Sequence, residues 1–218
     1  MMGAVIFDMD GVLVDSEAMY QYLLLDFFKK QGQHITVREA NAFVGCSDSF
    51  FYRHMGMLWK PRLTETDMRK LFSQRFGQQE LNYTTLLNPH VRYILPQIKQ
   101  AGLQVAIASS SAKNRILDMM NCNEIASYID QVISGHEVAI SKPDPAIYHE
   151  TLRRLALPGE QCVVIEDSAI GIEAAKRAGL YVIAKREIRF EVDQSKADYI
   201  ADDLLQAWLH IESYFHLS

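Results

Sequence analysis

Five short, uninterrupted apolar runs constrain this chain more than any other feature: Ala4 to Phe7, Val105 to Ala108, Val132 to Ser134, Val163 to Ile165 and Val182 to Ala184. A strand with one wet face alternates apolar and polar residues, whereas a strand apolar at nearly every position has to be covered on both faces. Helical patterns separate the runs, at Val91 to Gln100, Arg115 to Met120, Ala146 to Leu155 and Ile170 to Ala178. In the last of these, Ile170, Ala174 and Ala178 fall four apart on one side. Alternating strand and helix predict the α/β class, a doubly wound parallel sheet. Gly102 and Gly179, each just past a helix end, and Pro145 at a helix start fit the usual punctuation.

Residues 16–85 break that rhythm. They hold no convincing strand, and their helical candidates run consecutively: Ala18 to Gln31, Val37 to Phe43, Ser49 to Met57, and Thr64 to Phe76 with Thr64 and Asp67 as a capping pair. The pattern predicts a small all-helical cap inserted after the first strand, with residues 1–15 and 86–218 forming the α/β core. The crossings fall near Val14 to Ser16 and Asn82 to Asn88. An insertion there stands above the carboxyl ends of the strands, where open α/β sheets bind ligands. The tail from Trp208 to Ser218 carries aromatics and two histidines and is assigned no function.

Composition narrows the partners. At 218 residues and 49% hydrophobic, the chain can bury a core without disulfides or structural metal. Its 22 basic and 27 acidic residues give a net charge of −5 with neither sign in a block, which argues against a nucleic-acid or membrane surface and for a small-molecule partner. The amino terminus has no basic region, no segment approaches membrane-spanning length, and Cys46, Cys122 and Cys162 form no CxxC pair. A cytoplasmic monomer is the expectation.

The chemistry lies where strands end. Asp8 and Asp10 follow the first run, and Glu166 and Asp167 follow the fourth. Acids crowded at buried strand ends repel one another and resist desolvation, a cost that a divalent cation offsets. Gly11 allows the tight turn that brings a carbonyl and carboxylates toward one point. Ser109, Ser110 and Ser111, at the end of the second run, offer hydroxyls and amides to an anion at a helix entrance. Lys142 stands in Ser141-Lys142-Pro143-Asp144-Pro145, where two prolines stiffen the backbone. Acids, hydroxyls and one lysine at four strand ends make a phosphoryl-transfer set.

The segments DxDGVL from Asp8 to Leu13, the run ending in Ser109, SKPDP around Lys142 and EDSxxGIxAxxxAG from Glu166 to Gly179 resemble, as a set, the four motifs of the haloacid dehalogenase superfamily. The branch is that of β-phosphoglucomutase and small sugar-phosphate phosphatases. The resemblance implies a Rossmann-like core, a nucleophile at Asp8 that forms an aspartyl-phosphate, and a general acid and base at Asp10. It further implies Ser109, Ser110 and Lys142 on the phosphoryl oxygens, and Mg²⁺ held by Asp8, Asp167, the Asp10 carbonyl and Glu166, directly or through water. The expected function is Mg²⁺-dependent hydrolysis of a small phosphorylated metabolite, a sugar phosphate. The alternatives are a hexose-phosphate mutase and a catalytically silent metabolite-binding protein. Two departures count against the mutase. Gly45-Cys46-Ser47 leads to Asp48 where the mutases it resembles have arginine, and Tyr20 stands in place of their histidine. Arg53, His54, Lys60 and Arg62 are the cap residues that could supply positive charge instead, and surface positions are expected for them.

Overall fold

In the computed structural model, which describes residues 2–76 and 81–216, the apolar runs pair into one parallel sheet. Its strands are β1 (Ala4–Phe7), β2 (Gln104–Ser109), β3 (Gln131–Ser134), β4 (Cys162–Glu166), β5 (Tyr181–Lys185) and β6 (Tyr199–Ala201), in the order β3-β2-β1-β4-β5-β6. β1 is central, with Phe7 opposite Ile107 on one side and Ile165 on the other. Because side chains alternate across a strand, Val5 and Phe7 enter one core while Ala4 and Ile6 enter the other.

The helices are α1 (Glu17–Lys30), α2 (Val37–Asn41), α3 (Asp48–Leu58), α4 (Glu65–Phe76), α5 (Tyr83–Leu86), α6 (Val91–Gln100), α7 (Lys113–Cys122), α8 (Ala146–Leu155), α9 (Ala169–Arg177) and α10 (Leu204–Tyr214). The apolar sides of α6, α7 and α10 cover one sheet face, through residues such as Ile94, Met119 and Trp208. Ile147 and Tyr148 of α8, with Ile172 and Ala175 of α9, cover the other. This is the doubly wound arrangement expected from the alternation, and it turns the carboxyl ends of β1, β2 and β4 toward one place.

Helices α1 to α5 lie between β1 and β2. A third cluster belongs to this segment alone: Leu24, Phe27 and Phe28 of α1 pack with Met55, Trp59 and Met68, and the Phe27 and Trp59 rings lie 5.4 Å apart. Thr64 donates to Asp67 at 2.6 Å and accepts from its amide, the capping pair read from the sequence. At the crossings, the Asp15 amide donates to the Leu86 carbonyl, and Asn88 donates to the Gly11 and Val12 carbonyls.

Three of these elements were not foreseen: β6 is a three-residue edge strand whose pairing is carried by β5, α5 is a single turn, and α10 lies where the sequence was read only as an aromatic tail; β6 and α5 are too short for a period to show. The tail contains most of α10 and buries Trp208 and Ile211, so it is structural up to residue 216; residues 217 and 218 lie outside the described part. Among the described residues no helix is long and apolar enough to cross a membrane.

Candidate active site

The turn after β1 builds the first half of the site. Met9 accepts amides from Val12, Leu13 and Val14 while the Gly11 amide donates to the Val14 carbonyl, closing a tight loop. Gly11 has φ +83°, and a Cβ there would stand 1.9 Å from Oδ2 of Asp167. Glycine is required both for the left-handed turn and for the close approach. The turn leaves Asp8 buried at the strand end and places Asp10 two residues on, with both its oxygens engaged: Ser16 donates to Oδ1 at 2.5 Å and Ser111 to Oδ2 at 2.7 Å.

Lys142 ties the halves together. Its ammonium donates to Oδ1 of Asp8 at 2.7 Å, to Oε1 of Glu166 at 2.7 Å and to the Ala108 carbonyl at 3.1 Å. Burial opposes its charge, but the charges of Asp8 and Glu166 hold it well above the ordinary lysine range. Burial also drives Asp8 upward, to about 7, against the pull of Lys142 and with the repulsion of Glu166. The cluster therefore has more negative charge than one ammonium balances.

Glu166 and Asp167 are adjacent in sequence but differently employed. Oε1 of Glu166 accepts from Lys142 and from the Tyr148 hydroxyl, and Oε2 accepts from the amides of Asp167 and Ser168 and from the Ser168 hydroxyl. Its carboxylate lies over the first turn of α9, against Gly171, where a Cβ would come within 1.6 Å of Oε1. Asp167 instead turns under Gly11, and its Oδ2 is buried with no hydrogen-bond partner. Desolvation, reinforced by the charges of Glu166 and Glu17, holds that carboxyl well above the usual carboxylate range.

An unpartnered buried carboxylate oxygen is costly, and a divalent cation is the partner that would satisfy it. Asp167 Oδ2 beside the Gly11 turn, with Asp8 at the same strand ends, supplies the hard oxygen donors that Mg²⁺ takes. Among the described residues no three acidic, histidine or cysteine side chains already stand as a ligand cage, consistent with Lys142 engaging one oxygen each of Asp8 and Glu166.

The site opens into a cavity of about 720 Å³ between the sheet ends and the helical segment. Asp8, Asp10, Ser109, Ser110, Lys142 and Glu166 all line it, so six of the seven residues named from the sequence meet there, with Asp167 buried just behind. Ser109 accepts from the Ser111 amide at 3.1 Å, which orders the turn after β2. Of the cap cations, Arg53, Lys60 and Arg62 are exposed and His54 stacks on Phe50; none of the four lines the cavity, whereas Asp48 does.

Several contributors were not singled out as site residues. Ser16 fixes Asp10, Tyr148 supports Glu166, and Glu17 accepts from the Gly45 amide at 3.2 Å, joining the α1 start to the cap loop. Gly45 itself packs on Ser168 of the core, where a Cβ would meet that residue's Cβ at 2.4 Å. Arg189, from the loop after β5, donates to both oxygens of Asp15 at the cap crossing. Ser16 and Glu17 stood beside Asp15 in plain view; Arg189 is 174 residues from its partner and had no local signal.

With this geometry in hand, comparison with known proteins is specific. Residues 5–185 match the haloacid dehalogenase-like hydrolase family. A phosphorylated carbohydrates phosphatase of Thermotoga maritima is 33% identical over 182 residues, 82% of each chain. Among solved structures, CbbY from Rhodobacter sphaeroides in complex with xylulose-(1,5)bisphosphate superposes with a TM-score of 0.73 at 25% identity, covering 93% of this chain and 95% of that one. A β-phosphoglucomutase from Clostridium difficile gives 0.76 at 20% identity, covering 99% and 100%, which shows a shared fold.

Proposed function

The chain belongs to the haloacid dehalogenase-like hydrolases and is a phosphatase of that family, and from that premise we propose that it hydrolyses a small phosphorylated sugar with the help of Mg²⁺, through a phosphoryl group carried on Asp8. The observation that carries the proposal is the buried ammonium of Lys142 spanning Asp8 and Glu166, beside an Asp10 held by two hydroxyls.

In the first step an oxygen of Asp8 attacks phosphorus and the ester P–O bond breaks, while Asp10 gives its proton to the departing sugar oxygen. In the second, water attacks the phosphorus of the phosphorylated Asp8, Asp10 takes the water's proton, and Asp8 and inorganic phosphate are released. Ser109, Ser110 and Lys142 hold the phosphoryl oxygens, where charge spreads in the transition state. Ser16 and Ser111 aim Asp10.

Asp8, Asp167 and the Asp10 carbonyl would hold Mg²⁺, and Glu166, whose oxygens already serve Lys142, Tyr148 and two amides, would reach it through water. When bound, the cation neutralises the excess carboxylate charge, which lets a phosphate dianion enter. Segment 16–85 acts as the cap that excludes bulk water over the substrate.

The sugar-phosphate class is supported by the Thermotoga maritima phosphatase. Hydrolysis is favoured over a mutase reaction because Asp48 lines the cavity while the cap cations stay outside it. The test is inorganic phosphate release from a panel of sugar phosphates with Mg²⁺, beside Asp8→Asn and beside chelator. Release that needs both the metal and Asp8 supports the proposal. Turnover by Asp8→Asn at the wild-type rate defeats it, and conversion of glucose 1-phosphate to the 6-phosphate without phosphate release replaces it with the mutase.

A further inference from the structure

Two basic side chains line the cavity, Lys142 and Arg115. Lys142 is ion-paired with Asp8 and Glu166. Arg115, on the first turn of α7, is not: Nε donates to the Tyr83 hydroxyl at 3.2 Å, and among the described residues the guanidinium forms no ion pair. Asp118 lines the same cavity one turn further along α7 without pairing with it. The Tyr20 ring backs the guanidinium, with Cζ 5.2 Å from the ring centroid, and the Tyr20 hydroxyl is buried and has no hydrogen-bond partner. Tyr20 belongs to α1, Tyr83 to α5 and Arg115 to α7, so residues from both sides of the cap crossings converge here.

Each feature has a cost. A guanidinium that lines a cavity together with acids but is paired with none of them lacks a counter-charge, and a buried hydroxyl without a partner loses a hydrogen bond. The aromatic face and the Tyr83 hydroxyl fix the orientation of Arg115 through one edge, leaving the two terminal nitrogens as a planar fork. That fork matches the two oxygens of a carboxylate or phosphate, a fit lysine cannot reproduce.

We propose that Arg115, with Tyr20, is a subsite for a second oxyanion on the substrate, remote from the phosphoryl group transferred to Asp8. The enzyme's substrate class is then a phosphorylated sugar bearing a further carboxylate or phosphate. The Tyr20 hydroxyl donates to the same oxyanion, and Arg115 sets specificity without touching the reacting phosphorus. This rests on the phosphatase reading above. A cavity of about 720 Å³ lies within the ordinary range for ligand sites and accommodates a sugar with charged groups at both ends.

The test compares kcat/KM on glucose 6-phosphate, 6-phosphogluconate and fructose 1,6-bisphosphate for wild type, Arg115→Gln, Arg115→Lys and Tyr20→Phe, with p-nitrophenyl phosphate as a minimal substrate. The expected result is a preference of at least about tenfold for one doubly anionic compound over glucose 6-phosphate, equivalent to about 1.4 kcal/mol. In Arg115→Gln that preference collapses toward unity, mainly through KM; Arg115→Lys recovers only part of it, and Tyr20→Phe loses a smaller share. Preference for the carboxylate or the bisphosphate identifies which oxyanion is read. Hydrolysis with no preference, or an equal loss by Arg115→Gln on all substrates, overturns the subsite and leaves the phosphatase standing. Absence of metal-dependent release from every compound, p-nitrophenyl phosphate included, overturns both.

Discussion

Replacing Glu17 by glutamine should make the metal-free protein more stable, by an amount that grows with pH. Glu17 is the first residue of α1, is only 5% exposed, and accepts one hydrogen bond, from the Gly45 amide. Burial, then the charge of Asp10, push its carboxyl from 4.5 up to about 8, against the pull of the Gly45 amide and with further repulsion from Asp8 and Glu187. A carboxyl raised on folding binds its proton more tightly in the native state, so its contribution is fully present below about pH 4.5 and is lost as pH rises through about 8. Between those limits the wild type loses about 1.4 kcal/mol per pH unit relative to an uncharged side chain, for a total on the order of 5 kcal/mol. Glutamine keeps the size and an oxygen for the Gly45 amide but cannot ionise. Urea unfolding of both proteins in chelator at pH 5, 6, 7 and 8, followed by the fluorescence of Trp59 in the cap cluster and Trp208 in the core, measures the difference directly. Loss of the Glu17 charge also relieves its repulsion of Asp8 and Asp167, which acts in the same direction. A stability difference that stays constant from pH 5 to 8 would refute the reasoning.

Lys142→Met should lower phosphate release at least about a hundredfold and destabilise the fold by about 3–5 kcal/mol, because Asp8 and Glu166 lose their shared counter-charge; steady-state kinetics and urea unfolding report the two losses separately. Gly171→Ala forces a Cβ into the Glu166 carboxylate, and a drop in stability of about 1–3 kcal/mol is expected in thermal unfolding, together with reduced turnover as Glu166 releases Lys142. Gly45→Ala places a methyl against Ser168 at a backbone of φ +70°, so KM should rise severalfold while Trp208 still reports a normally folded core. Arg189→Ala removes both hydrogen bonds to Asp15 and the guanidinium's bonds to Glu187, which keeps only the residue 189 amide; it should speed proteolysis at the cap crossings before the core is cut.

How much of this was legible in the sequence depends on whether a signal was local. The strand ends were, because an apolar run stopping at a carboxylate, a serine or a lysine loop marks a boundary wherever it occurs. The convergence of those ends followed from the parallel order, with β1 flanked by β2 and β4. The different employment of Glu166 and Asp167 was not legible: side by side, both read as acids, whereas in space one step along the backbone sends Glu166 toward Lys142 and Asp167 under Gly11. β6 escaped because it is short and its start is fixed from outside, where Asp198 binds Lys176 and the Val182 amide. Arg115 and Tyr83 carry no motif, Tyr20 stood out only as a departure from the mutases, and the meeting of the three is a product of how α1, α5 and α7 pack.

The central position of β1 also has a temporal meaning. Its partners β2 and β4 start about 100 and 158 residues further along the chain, and Lys142 joins an acid 134 residues before it to one 24 residues after it. During synthesis, β1 waits for about 158 further residues before both of its edges are covered, while the aromatic cluster of the inserted helices draws only on neighbouring sequence. The inserted segment can therefore condense before the framework that carries it, and the charge cluster is assembled only when β4 docks. A ribosome-bound chain that ends short of Glu166 has Asp8 and Lys142 but not the second acid that completes their cluster.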